Sequence, residues 1–138
     1  MRRPLTIDHT VHVRLASRPG DRPVPATLRY DTSDPLAVRV AFPAEAALHG
    51  AEVTWVFARR LLDEGLRGPA GDGDVRFRPG LPGRTFMELK APQGSALVEL
   101  ATEDLHRFLA ATYAFVPQAV EAARLDVDGA LAALLGSF

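Results

Sequence analysis

The chain has 138 residues, 47% of them hydrophobic and 24% charged, a balance that supports one domain with one core and makes an ordered globular protein the default reading. A formal net charge of −1 offers no general attraction to nucleic acid or anionic lipid, and the absence of cysteine removes disulfides, thiolate nucleophiles and cysteine-ligated metals. No window is apolar for long enough to span a bilayer, and no apolar run follows Met1-Arg2-Arg3-Pro4, so the cytoplasm is the expected compartment.

Between Thr6 and Ala16, Ile7, His9, Val11, Val13 and Leu15 share one side of a period-two pattern, while Asp8, Thr10, His12 and Arg14 share the other. That is a half-buried strand. Arg18-Pro19-Gly20-Asp21 reads as a turn, and Val24, Ala26, Leu28 and Tyr30 alternate with Thr27 and Arg29 in a second strand, close enough for an antiparallel hairpin. The side chains of Asp31-Thr32-Ser33-Asp34 before Pro35 make a tight connection. Leu36, Val38, Val40 and Phe42 form a third strand with Arg39 outward, and Pro43–Ala51 is a link ended by Gly50.

The stretch from Val53 to Pro79 organises the rest. Val53, Trp55 and Phe57 line one face of a fourth strand. From Ala58 the period changes: Leu61, Leu62 and Leu66 recur at helical spacing, Arg59, Arg60, Asp63 and Glu64 are expected on the solvent side, and Gly65 is the expected C-terminal cap. A helix of about two turns is too short to be stable alone, so it must lie on the sheet. Gly68, Pro69, Gly71, Asp72 and Gly73 make a turn that leads into a strand with Val75 and Phe77 on one face and Asp74, Arg76 and Arg78 on the other.

Pro79–Gly83 is a loop, and Thr85–Lys90 is a strand whose Met87 and Leu89 oppose Phe86, Glu88 and Lys90 without indicating which side is buried. Ala91–Gly94 is a turn before the strand of Ala96, Val98 and Leu100. Thr102 is the expected cap of a helix with Glu103 and Asp104 in its first turn, a buried stripe of Leu105, Phe108, Leu109, Thr112 and Val116, and an end at Pro117. Asp126 or Asp128 is expected to start a last helix through Leu131, Leu134 and Leu135, stopped by Gly136. The expected fold is α+β: about seven mostly antiparallel strands in a barrel-like or two-sheet core, with about three helices, in a single domain over residues 1–138. Leu28, Tyr30, Trp55, Phe57, Leu61, Phe77 and Phe108 are the expected core.

No catalytic constellation emerges. The Gly68–Gly73 loop lacks a Gly-Lys-Ser/Thr ending and a following helix, and Asp72 and Asp74 lack the further ligands of a calcium loop. His9 and His12 point to opposite faces of a strand, and His49 and His106 are isolated, so no zinc set forms. Ser17, Ser33, Ser95 and Ser137 lie in no nucleophile elbow, and Asp63 and Glu64 diverge as neighbours on a helix. Neither a cofactor nor an enzymatic activity is expected. Outward arginines, Arg29, Arg39, Arg59, Arg60, Arg67, Arg76, Arg78 and Arg84, would form a basic patch if assembled, although the balanced charge favours solvated faces.

The segments VPATLRYDTSDPLAVRVAF, WVFARRLLDEGLRGPAGDGDVRFRP and LDVDGALAALL resemble those of the SsgA-like proteins, regulators of sporulation-specific cell division in filamentous actinomycetes. The match is long and ordered from Val24 to Pro79 and weaker at both ends; MRRPLTIDHT and Leu81–Arg84 depart from it. The resemblance implies a fold like that of the single-stranded nucleic-acid-binding "whirly" group, a homotrimer, and action at the division septum through FtsZ or another SsgA-like protein. A non-enzymatic docking role is the expected function, with Arg59, Arg60, Asp63 and Glu64 as the docking face. A single-stranded nucleic-acid binder on the same sheet is the alternative, and it would need exposed aromatics.

Overall fold

Seven segments that alternate in sequence pair edge to edge in space. The computed structural model describes residues 4–16, 23–44 and 50–135. Strands β1 (Thr6–Leu15), β2 (Val24–Asp31), β3 (Ala37–Phe42) and β4 (Val53–Ala58) lead into helix α1 (Arg59–Gly65). Strands β5 (Val75–Pro79), β6 (Arg84–Ala91) and β7 (Gly94–Ala101) then precede α2 (Thr102–Phe115) and α3 (Gln118–Leu134). The strand order is β4-β3-β2-β1-β7-β6-β5, and every pairing is antiparallel. Two meanders, β1 to β4 and β5 to β7, are joined where the end of β1 meets β7 at Arg14↔Glu99 and Leu15↔Val98.

Twist carries the two edge strands toward each other. Phe57 on β4 and Phe77 on β5 meet edge to face, their ring centroids 5.0 Å apart, so the α+β sheet curls into a nearly closed barrel whose seam runs between β4 and β5. Helix α1 lies at that seam. Val11, Val13, Leu28, Tyr30, Val38, Val40, Phe77, Met87, Val98 and Leu100 fill the interior, and Leu105, Phe108 and Leu109 of α2 close over it. His9 takes part in that closure through its ring, 5.4 Å from Phe108. Of the expected core, Leu28, Tyr30, Phe57, Phe77 and Phe108 are buried, whereas Trp55 and Leu61 are half-buried and pack on the core's margin. For β6 the buried face is that of Thr85, Met87 and Leu89; Phe86 lies outside under the guanidinium of Arg78, 5.0 Å from the ring centroid.

Three helix boundaries differ from the sequence expectation, each for a local reason. Gly65 is not a cap beyond the helix but part of its last turn, which ends at Leu66 in right-handed conformation with its N–H on Leu62 O. A Cβ at Gly65 would sit 2.2 Å from Cβ of Phe77, so the glycine is there for close packing of α1 on β5. Thr102 does not cap α2: the flanking residue is Ala101, and the Thr102 hydroxyl lies 2.8 Å from that of Thr85 on β6. Helix α3 starts at Gln118, directly after Pro117, so Asp126 and Asp128 lie inside it and cap nothing. Proline fixes the backbone ahead of the first turn, and the Val120 N–H bonds Pro117 O at 3.0 Å. The expected turn at Arg18–Asp21 and the stop at Gly136 lie outside the described residues.

Candidate functional site around helix α1

Helix α1 begins where β4 runs out. The inner-face alternation Val53, Trp55, Phe57 continues for one more step, and that step is Arg59. Its N–H still bonds Leu36 O at 2.8 Å in the manner of the strand, while its side chain points into the protein with 0% exposure. Arg59 is therefore not on the charged solvent face where the helical pattern put it. The guanidinium is held instead by Glu121 of α3: Nε donates to Oε2 at 2.9 Å, Nη2 lies 2.9 Å from the same oxygen outside hydrogen-bond geometry, and Nη1 donates to Val116 O at 2.8 Å.

Two tyrosine rings complete the enclosure, with their centroids 4.5 Å (Tyr113) and 5.2 Å (Tyr30) from the guanidinium carbon. The Tyr30 hydroxyl donates to Pro35 O at 2.9 Å. The Tyr113 hydroxyl is buried with no partner among the described residues, and burial, then the nearby Asp63 charge, push its pKa up to about 12. Burial is also the first cause of the raised pKa of Tyr30, opposed by the charge of Arg59. A guanidinium so enclosed cannot touch a partner in the folded chain; it ties together β4, the end of α2 and the start of α3.

The remaining three expected docking residues are nearer the surface. Arg60 and Glu64 are exposed and paired with each other at 2.8 Å, one turn apart. Asp63, 17% exposed, takes Arg67 on one side and the Gln118 side-chain amide at 3.1 Å on the other. The outer face of α1 is thus two charge pairs of opposite sign, with the first residue of α3 laid beside it. Sequence reasoning missed Glu121 and Tyr113 altogether. The one available signal was the alternation through residue 59, which the helical reading of Arg59 overrode; nothing marked Glu121 as buried.

The other candidates are placed apart. Arg29, Arg39, Arg59, Arg60, Arg67 and Arg84 each pair with a carboxylate, Arg76 donates to Gly73 O, and Arg78 lies over Phe86, so the arginines do not assemble a free basic patch. His12 and His106 are exposed on separate elements, and His49, Ser17 and Ser137 lie outside the described residues. Asp72 and Asp74 are exposed in a turn where Gly71 has φ +104°, and a Cβ there would meet Val75 O at 2.7 Å. Among the described residues no three histidines or carboxylates gather to hold a metal, and no helix is long and apolar enough to cross a membrane. One concavity of about 330 Å³ lies on the outer face of β1 to β4, between Arg29, Arg39, Glu52 and Thr54.

Comparison with known proteins gives one consistent answer. The family model described as Streptomyces sporulation and cell division protein, SsgA, matches residues 24–121. The sporulation-specific cell division protein SsgB of Salinispora tropica is 45% identical over 137 residues, 96% of this chain and 95% of its own length. SsgB of Streptomyces coelicolor is 43% identical over 136 residues, 94% of this chain and 96% of its own. Among solved structures, one of SsgB, whose mutations correlate to longitudinal cell division during sporulation of Streptomyces coelicolor, has a TM-score of 0.78 at 39% identity, covering 89% of this chain and 98% of that one. The SsgA-like sporulation-specific cell division protein of Thermobifida fusca has a TM-score of 0.72 at 34% identity, covering 92% and 93%.

Proposed function

Because the chain belongs to the SsgA family of sporulation and cell division proteins, we propose that it acts in sporulation-specific septation as a non-enzymatic docking platform that positions FtsZ at future septa. The observation that carries this reading is the character of α3. Apart from Glu121, every α3 side chain described is exposed, and Val120, Val127, Leu131 and Leu134 form an apolar stripe at steps of seven, four and three. A helix whose described side chains, Glu121 apart, leave an apolar stripe in water is built to be covered by another surface.

In this reading α3 self-associates, giving the homotrimer that the family resemblance implies, and the copies present several α1 faces at once. Arg60 and Glu64, flanked by Asp63 and Arg67, then form the contact to the division machinery, and Arg59 fixes α1 from behind. Repetition of a weak contact raises avidity without a new kind of interaction. The place of action is the cytoplasmic side of the septum. Nucleic-acid binding is the less supported alternative, since six of the eight arginines it would need are already paired with carboxylates.

Light scattering and pull-down with purified FtsZ test the proposal. Association is expected in at least one nucleotide state and is expected to weaken about tenfold, or about 1.4 kcal/mol, when Arg60→Glu and Glu64→Arg are introduced together. Absence of association in every nucleotide state overturns direct docking.

A further inference from the structure

Strand β4 is an edge of the sheet, paired with β3 on one side only. The Arg59 N–H on Leu36 O fixes the phase of that pairing. Counting back in steps of two, Phe57, Trp55 and Val53 direct their backbone groups at β3, and Thr54 and Val56 direct theirs away from it. Among the described residues, those outward groups have no backbone partner.

The usual protections of such an edge are missing: from Val53 to Ala58 the strand has no charge and no proline, and it is rich in β-branched and aromatic residues. Burial of the inner face fails along the same strand. Phe57 is 6% exposed, Trp55 is half-buried and Val53 is 39% exposed, whereas Val38, Val40 and Phe42 of the neighbouring β3 are all buried. The barrel seam is closed at the Phe57 end, where Phe77 and α1 meet it, and open at the Val53 end.

Charge beside this edge is mixed, with Glu52 just before the strand sharing a concavity with Arg29 and Arg39, so the recognition element is one guanidinium and not the net charge. The outer-face row across the sheet runs Asp8, Arg29, Arg39, Val56, each residue opposite the next on the adjoining strand. Arg29 is engaged by both oxygens of Asp8, but Arg39 uses a single donor on Asp34, at 3.1 Å, and its side chain is 38% exposed. A guanidinium has five donors, so Arg39, one strand in from the edge, retains capacity for a second carboxylate.

We propose that the β4 edge is a β-augmentation site for an extended acidic segment of a protein partner, which pairs with the backbone of Thr54 and Val56, lays alternate apolar side chains over Val53 and Trp55, and directs an acidic side chain to Arg39. Main-chain pairing supplies affinity in this mode, and the alternate side chains supply selectivity. The site goes beyond the α1 docking face and does not depend on it.

Trp55 is the sole tryptophan of the chain, so the seam carries its own fluorescent probe. Titration with a short peptide alternating glutamate and valine is expected to shift Trp55 emission to the blue, saturably, at or below about millimolar concentration. The same peptide with lysine in place of glutamate is expected to bind about tenfold more weakly. Val56→Pro removes an outward N–H without touching the β3 ladder and is expected to abolish the shift. Arg39→Gln, a surface change that leaves the strand's backbone alone, is expected to bring the glutamate peptide down to the level of the lysine peptide. No shift at millimolar peptide, equal titrations of the two peptides, or a single-stranded oligonucleotide that shifts Trp55 as well as the acidic peptide each overturns the proposal.

Discussion

A guanidinium removed from water has to replace its hydration with protein groups, and Arg59 does so with one carboxylate, one carbonyl and two aromatic faces. Desolvating both charges offsets much of their attraction, so the pair itself adds little net stability, yet losing one partner leaves a buried charge uncompensated. Glu121→Ala is therefore expected to cost about 3–5 kcal/mol in urea denaturation, and adding Arg59→Met to it is expected to recover most of that loss. Tyr113 sets a second expectation, against pH. Its folded pKa is raised from 10.0 to about 12, so the unfolded phenol ionises first and stability falls as pH rises between those values. Tyr113→Phe is expected to flatten that alkaline decline in thermal melts between pH 9 and 12 and to leave stability at neutral pH unchanged or higher, because the buried hydroxyl has no partner to lose.

At the level of elements, α1 shows how closely a short helix can be tied to one neighbour. Substituting Gly65 by alanine would gain up to about 1 kcal/mol of helix propensity. The added Cβ, however, would stand 2.2 Å from that of Phe77, and overpacking of that kind typically costs about 1–3 kcal/mol. Gly65→Ala is expected to lower the denaturation midpoint, and trimming the facing side chain with Phe77→Leu is expected to shrink the effect of the added methyl, as a packing role requires. The strands were legible in advance because burial on one face of a sheet imposes period two on the residues themselves, as at Leu28 and Tyr30 or Val38 and Val40. The start of α3 was missed because Pro117 serves equally as the stop of one helix and the start of the next, and the burial of Glu121 was hidden because its partner is remote in sequence. Arg59 failed for a related reason: strand and helix periods overlap at that one residue, and only the three-dimensional seam decides between them. The α1 surface of Arg60 and Glu64 was readable from spacing alone, since residues four apart on a helix are neighbours.

For the whole molecule, the division of labour lies between a barrel that buries most of its aromatics and a helix that leaves its apolar stripe outside. If α3 is the self-association element, Leu131→Lys together with Leu134→Lys is expected to reduce the mass measured by light scattering to that of one chain while the melting temperature of the isolated chain stays put. Both residues are exposed in the single chain, 52% and 83%, so their replacement disturbs little of the folded core. An unchanged oligomer mass would remove α3 from the assembly.

The sheet order also governs how the polypeptide can reach this shape. All neighbours in the strand order are consecutive hairpins except β1 and β7, which join the first strand to the last. Local pairings form early because little chain entropy is lost in closing them, whereas bringing the first strand in sequence to the last requires closing a long loop. During synthesis the four-strand meander can assemble as soon as it is made, and it must then wait, with one flank of β1 unpaired, until Glu99 and Val98 have been added to the growing chain. That interval leaves β1 open, alongside the β4 edge, to pairing with the wrong copy.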